Sequence, residues 1–193
     1  MKSTFKFVLV FVIIAVDIIL FFIFKDQIFV QPKGDTYSAT HTLTTRIMKL
    51  QSTAFQNNGN IPELYTCDDK NITPPLQISG VPTRAKDLAL IVDDPDAPNG
   101  DWVHWLVWNI NPTTTQIAEN SVPAGAIQGT TSFGKSEWGG PCPPSGTHHY
   151  QFKIYALDTT LNLTSKATKA ELEAAMKGHI MDQAMLVALY QRK

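Results

Sequence analysis

The sequence predicts a predominantly β domain whose strands pair non-locally. From Leu43 to about Asp158, short β-compatible runs alternate with turns rich in Pro, Gly and Asn. Leu88-Ala89-Leu90-Ile91-Val92 is continuously apolar, as expected of a strand covered on both faces. Only one stretch of the domain, opening at Thr168, has the cap and the apolar spacing of a soluble helix.

The predicted strands are residues 47–55, 76–78, 87–92, 103–110 and 150–157. Strict alternation over 103–110 places His104, Leu106, Trp108 and Ile110 on one face and Val103, Trp105, Val107 and Asn109 on the other. Both faces are bulky and apolar, so this strand should also be central. In the last run His148, Tyr150, Phe152 and Ile154 share a face, opposite His149, Gln151 and Lys153. Thr168-Lys169-Ala170-Glu171 matches a capping box, and Leu172, Met176, Ile180, Ala184 and Val187 follow at helical spacing, predicting a C-terminal helix packed on the sheets. Gly178 inside it would mark a close approach to another backbone.

With 193 residues and 44% hydrophobic content, the chain has room for one domain of about 150 residues and an accessory segment. Residues 7–24 are apolar apart from Asp17, and as a helix would extend about 27 Å, close to the roughly 30 Å hydrocarbon core of a bilayer. The reading is a signal anchor over 1–26, a tether over 27–42 and the folded domain over 43–193; a cleaved signal peptide and a peripheral helix are the alternatives. Lys2 and Lys6 would keep a short N-terminal tail cytoplasmic, giving a single-pass, membrane-anchored protein with a periplasmic or extracellular domain. Formal net charge is -1 and the basic residues are scattered, which excludes the phosphate-neutralising surface of a nucleic-acid binder.

Two segments hold the chemistry. Asp93-Asp94-Pro95-Asp96-Ala97-Pro98 follows the apolar strand, with two prolines fixing the turn, and Gly139-Gly140-Pro141-Cys142-Pro143-Pro144 leads towards His148-His149-Tyr150. Carboxylates at a strand end are commonly solvated turn formers, and a lone histidine in apolar surroundings is commonly a hydrogen-bonded core residue. If the two turns converge, Asp94 can orient one imidazole while the other donates to an anion, with the Gly139-Gly140 backbone offering N–H groups to a phosphate, sulfate or carboxylate.

These blocks, Asp-Pro-Asp-Ala-Pro with Trp-Val-His-Trp-Leu-Val-Trp-Asn and Gly-Gly-Pro-Cys-Pro-Pro-Ser-Gly-Thr-His-His-Tyr, resemble the signatures of the phosphatidylethanolamine-binding proteins, also called Raf-kinase-inhibitor-like proteins. Upstream, residues 65–76 and 79–82 resemble the bacterial and archaeal branch, and the likeness runs from about Met48 to Gln191. The resemblance implies an antiparallel β-sandwich with small peripheral helices and a shallow anion pocket built from Asp94, Pro98, His104, Gly140, Pro143, Pro144, His148 and Tyr150. His149 stands where the family usually has Arg, a titratable donor in place of a permanently charged one.

The implied function is a non-enzymatic module for a phosphate-like or carboxylate anion, such as a phospholipid head group or a phosphorylated small molecule or protein partner, with no cofactor and no resident metal. A second class is a metal-dependent hydrolase using Asp94, Asp96, His104 and His148, although no His-Glu-x-x-His pair is present. A Ser/His/Asp enzyme is weaker, because Ser136 and Ser145 lack a nucleophile-elbow context. A third class is a protein-facing inhibitor whose contact surface includes Trp102, Trp105, Trp108 and Trp138. Cys67 and Cys142, the only cysteines, each adjoin a signature block; they either form a disulfide or stay as two buried thiols.

Overall fold

Every residue of β4 (Asp87–Asp94) is buried in the computed structural model, which describes residues 47–193. The strand lies between β5 (Trp102–Ile110) and β8 (His148–Leu157), antiparallel to both. Outward from these run β9 (Ile180–Tyr190), paired antiparallel with β8, and β2 (Gly59–Asn60), paired parallel with β9. On the opposite edge, β7 (Ile127–Gln128) joins β5. The order of this six-stranded sheet is β2-β9-β8-β4-β5-β7. A three-stranded antiparallel sheet contains β1 (Lys49–Gln51), β3 (Leu76–Ser79) and β6 (Gln116–Ile117), in the order β1-β3-β6.

Alternation along β4 explains how the layers stack. Leu88, Leu90 and Val92 join Leu50, Leu76, Ile78 and Ile117 of the small sheet in one apolar cluster. Ala89 and Ile91 point the other way, into a cluster with Leu172 and Met176 of α1 (Lys169–Met176). The large sheet is therefore covered on both faces, which is why 88–92 carries no polar residue. Burying one such side chain contributes about 1.5–3 kcal/mol, so truncating a shared residue such as Leu90 should destabilise both layers.

The described residues are mainly β with a single α-helix, and several expectations need correction. The capping box forms: Thr168 Oγ1 accepts from the Glu171 N–H, and the Glu171 carboxylate accepts from the Thr168 N–H at 2.8 Å. The helix nevertheless ends at Met176, and Ile180–Tyr190 is a strand rather than its continuation. Gly178 has a φ of 83°, a left-handed turn that breaks the helix, and no neighbour approaches the place a Cβ would take, so a close backbone contact is not its role. Beyond it Leu186, Ala188 and Tyr190 are buried at a period of two, a pattern hidden by the helical reading.

Strict alternation also fails in β5. Its pairing with β4 shifts twice, and the paired residues Val92↔Trp105 and Asp93↔Val103 leave His104 as an extra residue. The second shift sits at Asn109, whose φ is 56°, and returns Ile110 to the face of Trp105 and Val107.

The expected membrane-spanning helix is likewise withdrawn. Among the described residues no helix is long and apolar enough to cross a membrane, and the segment proposed for it, residues 7–24, lies outside them. The fold class is corrected to mainly β with one helix, and the single-pass anchor, the membrane as partner and the extracytoplasmic placement drawn from it are not carried forward.

Candidate functional site

The β4–β5 loop begins where β4 ends, and its acidic residues are fixed by short-range bonds. Asp94 is 3% exposed. Its Oδ1 accepts from the Asp96 N–H at 2.9 Å, closing a turn, and its Oδ2 lies 2.7 Å from His148 Nδ1. Because β8 starts at His148 beside the end of β4, the sheet itself delivers the imidazole to this carboxylate. The Nδ1 proton is thereby directed at Asp94, and Nε2 is left for a ligand.

His104 is placed by its bulge. Its Nδ1 donates to the Gly139 carbonyl at 2.5 Å, and the Gly139 N–H returns a bond of 3.0 Å to the His104 carbonyl. The ring meets Tyr150 edge-on at 5.1 Å and Phe133 at 5.5 Å. Burial depresses the His104 pKa, against the pull of the Gly139 carbonyl and of Asp94. In its neutral form, with the proton on Nδ1, Nε2 is an acceptor, and it becomes a donor only when the ring is protonated.

Asp94, Pro98, His104, Pro143, Pro144, His148 and Tyr150 line one cavity of about 420 Å³. The Tyr150 hydroxyl is buried without a hydrogen-bond partner. Burial, reinforced by the negative charge of Asp94 and only partly opposed by the nearby Cys142 backbone N–H, which falls short of good hydrogen-bond geometry, raises its pKa far above the ordinary value, so the group stays protonated.

Gly140 is not among the cavity residues. Its N–H bonds Asn71 Oδ1 at 2.7 Å, and a Cβ there would fall 2.4 Å from the Tyr65 carbonyl oxygen, so this glycine serves close packing. With the Gly139 N–H also engaged, neither glycine offers the expected donor to an anion. The side chains with hydrogen-bonding heads in the cavity lining include His148, His104 and Tyr150.

Sequence reasoning missed Ala97, Asn99, Trp102, Phe133 and Cys142 as parts of the wall. Trp102 and Phe133 pack edge-to-face at 5.4 Å while remaining 37% and 43% exposed. Phe133 lies in a stretch with no strand or helix period, so its only signal was a large aromatic next to Gly134. A tryptophan contact surface does not assemble, since Trp105 and Trp108 are fully buried. The Asp96 carboxylate holds the backbone and ring of His149 at 2.9 and 2.7 Å, so His149 makes an exposed pair of its own. That bond lowers the Asp96 pKa. Among the described residues no three His, Cys, Asp or Glu side chains gather as a metal-binding set.

Cys67 and Cys142 form a disulfide with Cα atoms 5.5 Å apart. It ties the 139–144 wall to the segment before β3, alongside a 3.1 Å bond from the Cys67 N–H to the Pro141 carbonyl.

The family model for phosphatidylethanolamine-binding protein matches residues 51–191. A UPF0098 protein of Methanothermobacter thermautotrophicus is 49% identical over 150 residues, spanning 75% of this chain and 99% of its own. A UPF0098 protein of Pyrococcus horikoshii is also 49% identical over 150 residues, spanning 74% of this chain and 76% of its own. Two solved structures are similar. The crystal structure of a phosphatidylethanolamine-binding protein homolog from Chlamydia trachomatis has 40% identity and a TM-score of 0.74, covering 77% of this chain and 99% of that one. Escherichia coli YbcL, described as a new member of the mammalian family, has 32% identity and a TM-score of 0.72, covering 76% and 99%.

Proposed function

The chain belongs to the phosphatidylethanolamine-binding protein family, and from that premise we propose that its cavity is a non-enzymatic receptor for a phosphate-like or carboxylate anion. The anion would be carried by a small molecule, a phospholipid head group or a phosphorylated protein partner. One observation carries this reading: an imidazole oriented by Asp94 lines the same cavity as His104 and Tyr150.

The lining supports binding over catalysis. Its only hydroxyl is Tyr150, held protonated by burial, and its only sulfur, that of Cys142, is committed to a disulfide. Neither is an activated nucleophile. The half-exposed rings of Trp102 and Phe133 offer an apolar rest for whatever bears the anion.

Calorimetric titration with inorganic phosphate and with phosphoethanolamine tests the proposal. Affinity should rise as pH falls, because the His104 imidazole, kept neutral by burial, gains its second donor on protonation, and His148→Ala should weaken binding at least tenfold. Unchanged binding in that variant would remove the cavity as the site.

A further inference from the structure

The loop between Asp94 and Trp102 forms one wall of the cavity; its ends are paired as the last rungs of the β4–β5 ladder, and a single ammonium group bridges the carboxylates on either side of it. Lys169 Nζ lies 2.5 Å from Oδ2 of Asp93, which is fully buried, and also bonds Asp101 Oδ2, immediately before Trp102. Glu173, one helical turn on, stands at 3.7 Å. Lys169 is the first residue of α1, positioned by the Thr168 capping box and by the burial of Leu172 and Met176. Its side chain is only 17% exposed. Burial opposes the charge, but the bonds to Asp101 and Asp93 outweigh it and raise the lysine pKa.

The loop has other ties. Inside it are two turns, from the Asp96 N–H to Asp94 Oδ1 and from the Gly100 N–H to the Ala97 carbonyl. Across to β8 it is joined by the buried Asp94–His148 bond at its base and by the exposed Asp96–His149 pair further out, and exposed pairs contribute little. The Lys169 clamp is the tie that reaches Asp101, at the far end of the loop.

We propose that Lys169 is a positioning residue of the cavity, closing the β4–β5 loop so that Asp94, Pro98 and Trp102 face the ligand without itself touching it. The structural half of this inference stands alone; its effect on affinity rests on the anion reading above. Lys153 also reaches Asp93, at 2.7 Å, so removing Lys169 leaves that buried carboxylate paired while Asp101 is released. The perturbation therefore falls on the loop rather than on the core.

The test compares the full chain with Lys169→Met and Lys169→Arg by hydrogen exchange and by phosphate calorimetry. In the Met variant the Asp96 and Gly100 amides should exchange at least tenfold faster and phosphate should bind about five- to tenfold more weakly. The Ile91 and Leu106 amides should be unchanged, and Arg should restore both losses. Loop exchange within twofold of the parent protein overturns the clamp, as does acceleration that spreads equally to Ile91 and Leu106. Should the Met variant fail to fold, Asp101→Asn carries the same expectation, and unaltered loop exchange there overturns it. If the parent protein does not bind phosphate, the anion reading falls while the exchange measurement still decides the role of Lys169.

Discussion

Breaking the Cys67–Cys142 bond should lower stability by an amount set chiefly by the unfolded chain. The bond closes a loop with a sequence separation of 75, and the chain-entropy relation then gives about 15 cal/mol/K, or about 4.5 kcal/mol at 25 °C. The folded state has other ties between the same segments: the 3.1 Å bond from Cys67 to Pro141 and the 2.7 Å bond from Gly140 to Asn71. These should hold the wall once sulfur is removed, so the loss appears on unfolding rather than as a collapsed site. For a domain of about 150 residues, such a loss lowers the melting temperature by roughly 9–18 °C. The assay is urea unfolding of the parent protein with and without a thiol reductant, beside the Cys67→Ser/Cys142→Ser double variant. Reduction and the double substitution should give matching losses, and the denaturant dependence should steepen because the uncrosslinked chain exposes more surface. Phosphate affinity should stay within threefold. A loss below about 1 kcal/mol would refute the loop-entropy argument, and collapse of affinity would show that the covalent bond, not the hydrogen bonds, positions the wall.

Two further outcomes follow from buried polar groups. Tyr150→Phe removes a buried hydroxyl that has no well-formed hydrogen bond, so the free protein should gain about 1 kcal/mol by urea unfolding while phosphate affinity falls several-fold; a loss of both would mean that the contact with the Cys142 backbone N–H is a true bond. Asp87 is 1% exposed, and burial lifts its pKa to about 6 against the partial pull of nearby backbone N–H groups at Asn109, Leu88, Ile110 and Leu161. The folded-state pKa is above the unfolded value of 3.8, so the folded protein binds the extra proton and stability from this group declines as pH rises from about 4 through about 6. A shift of about two units corresponds to roughly 3 kcal/mol. The stability difference between parent and Asp87→Asn should fall by about that much over this interval, and a flat or rising difference would contradict the assignment.

Legibility in the sequence tracked the physical range of the signal. The continuous apolar run of β4 requires cover on both faces wherever the strand sits, and residues 88–92 are indeed enclosed by two separate clusters. Likewise Asp94 meets His148 because a turn-forming carboxylate and a histidine both stand at ends of adjacent strands. What stayed hidden depended on a single residue altering local geometry. Gly178, at φ 83°, ends α1 and starts a strand whose residues also satisfy a helical spacing, since Ala184 fits a stripe of fours as well as a period of two. Asn109, at φ 56°, reverses a face in β5, and the bulge at His104 aims its ring at Tyr150 rather than along the face shared by Leu106 and Trp108. The pocket glycines were misjudged for a related reason: motif order cannot say that both N–H groups already have acceptors. Under the proposed anion reading, recognition would therefore run through ionisable side chains, which would make it depend on pH in a way that a backbone nest would not.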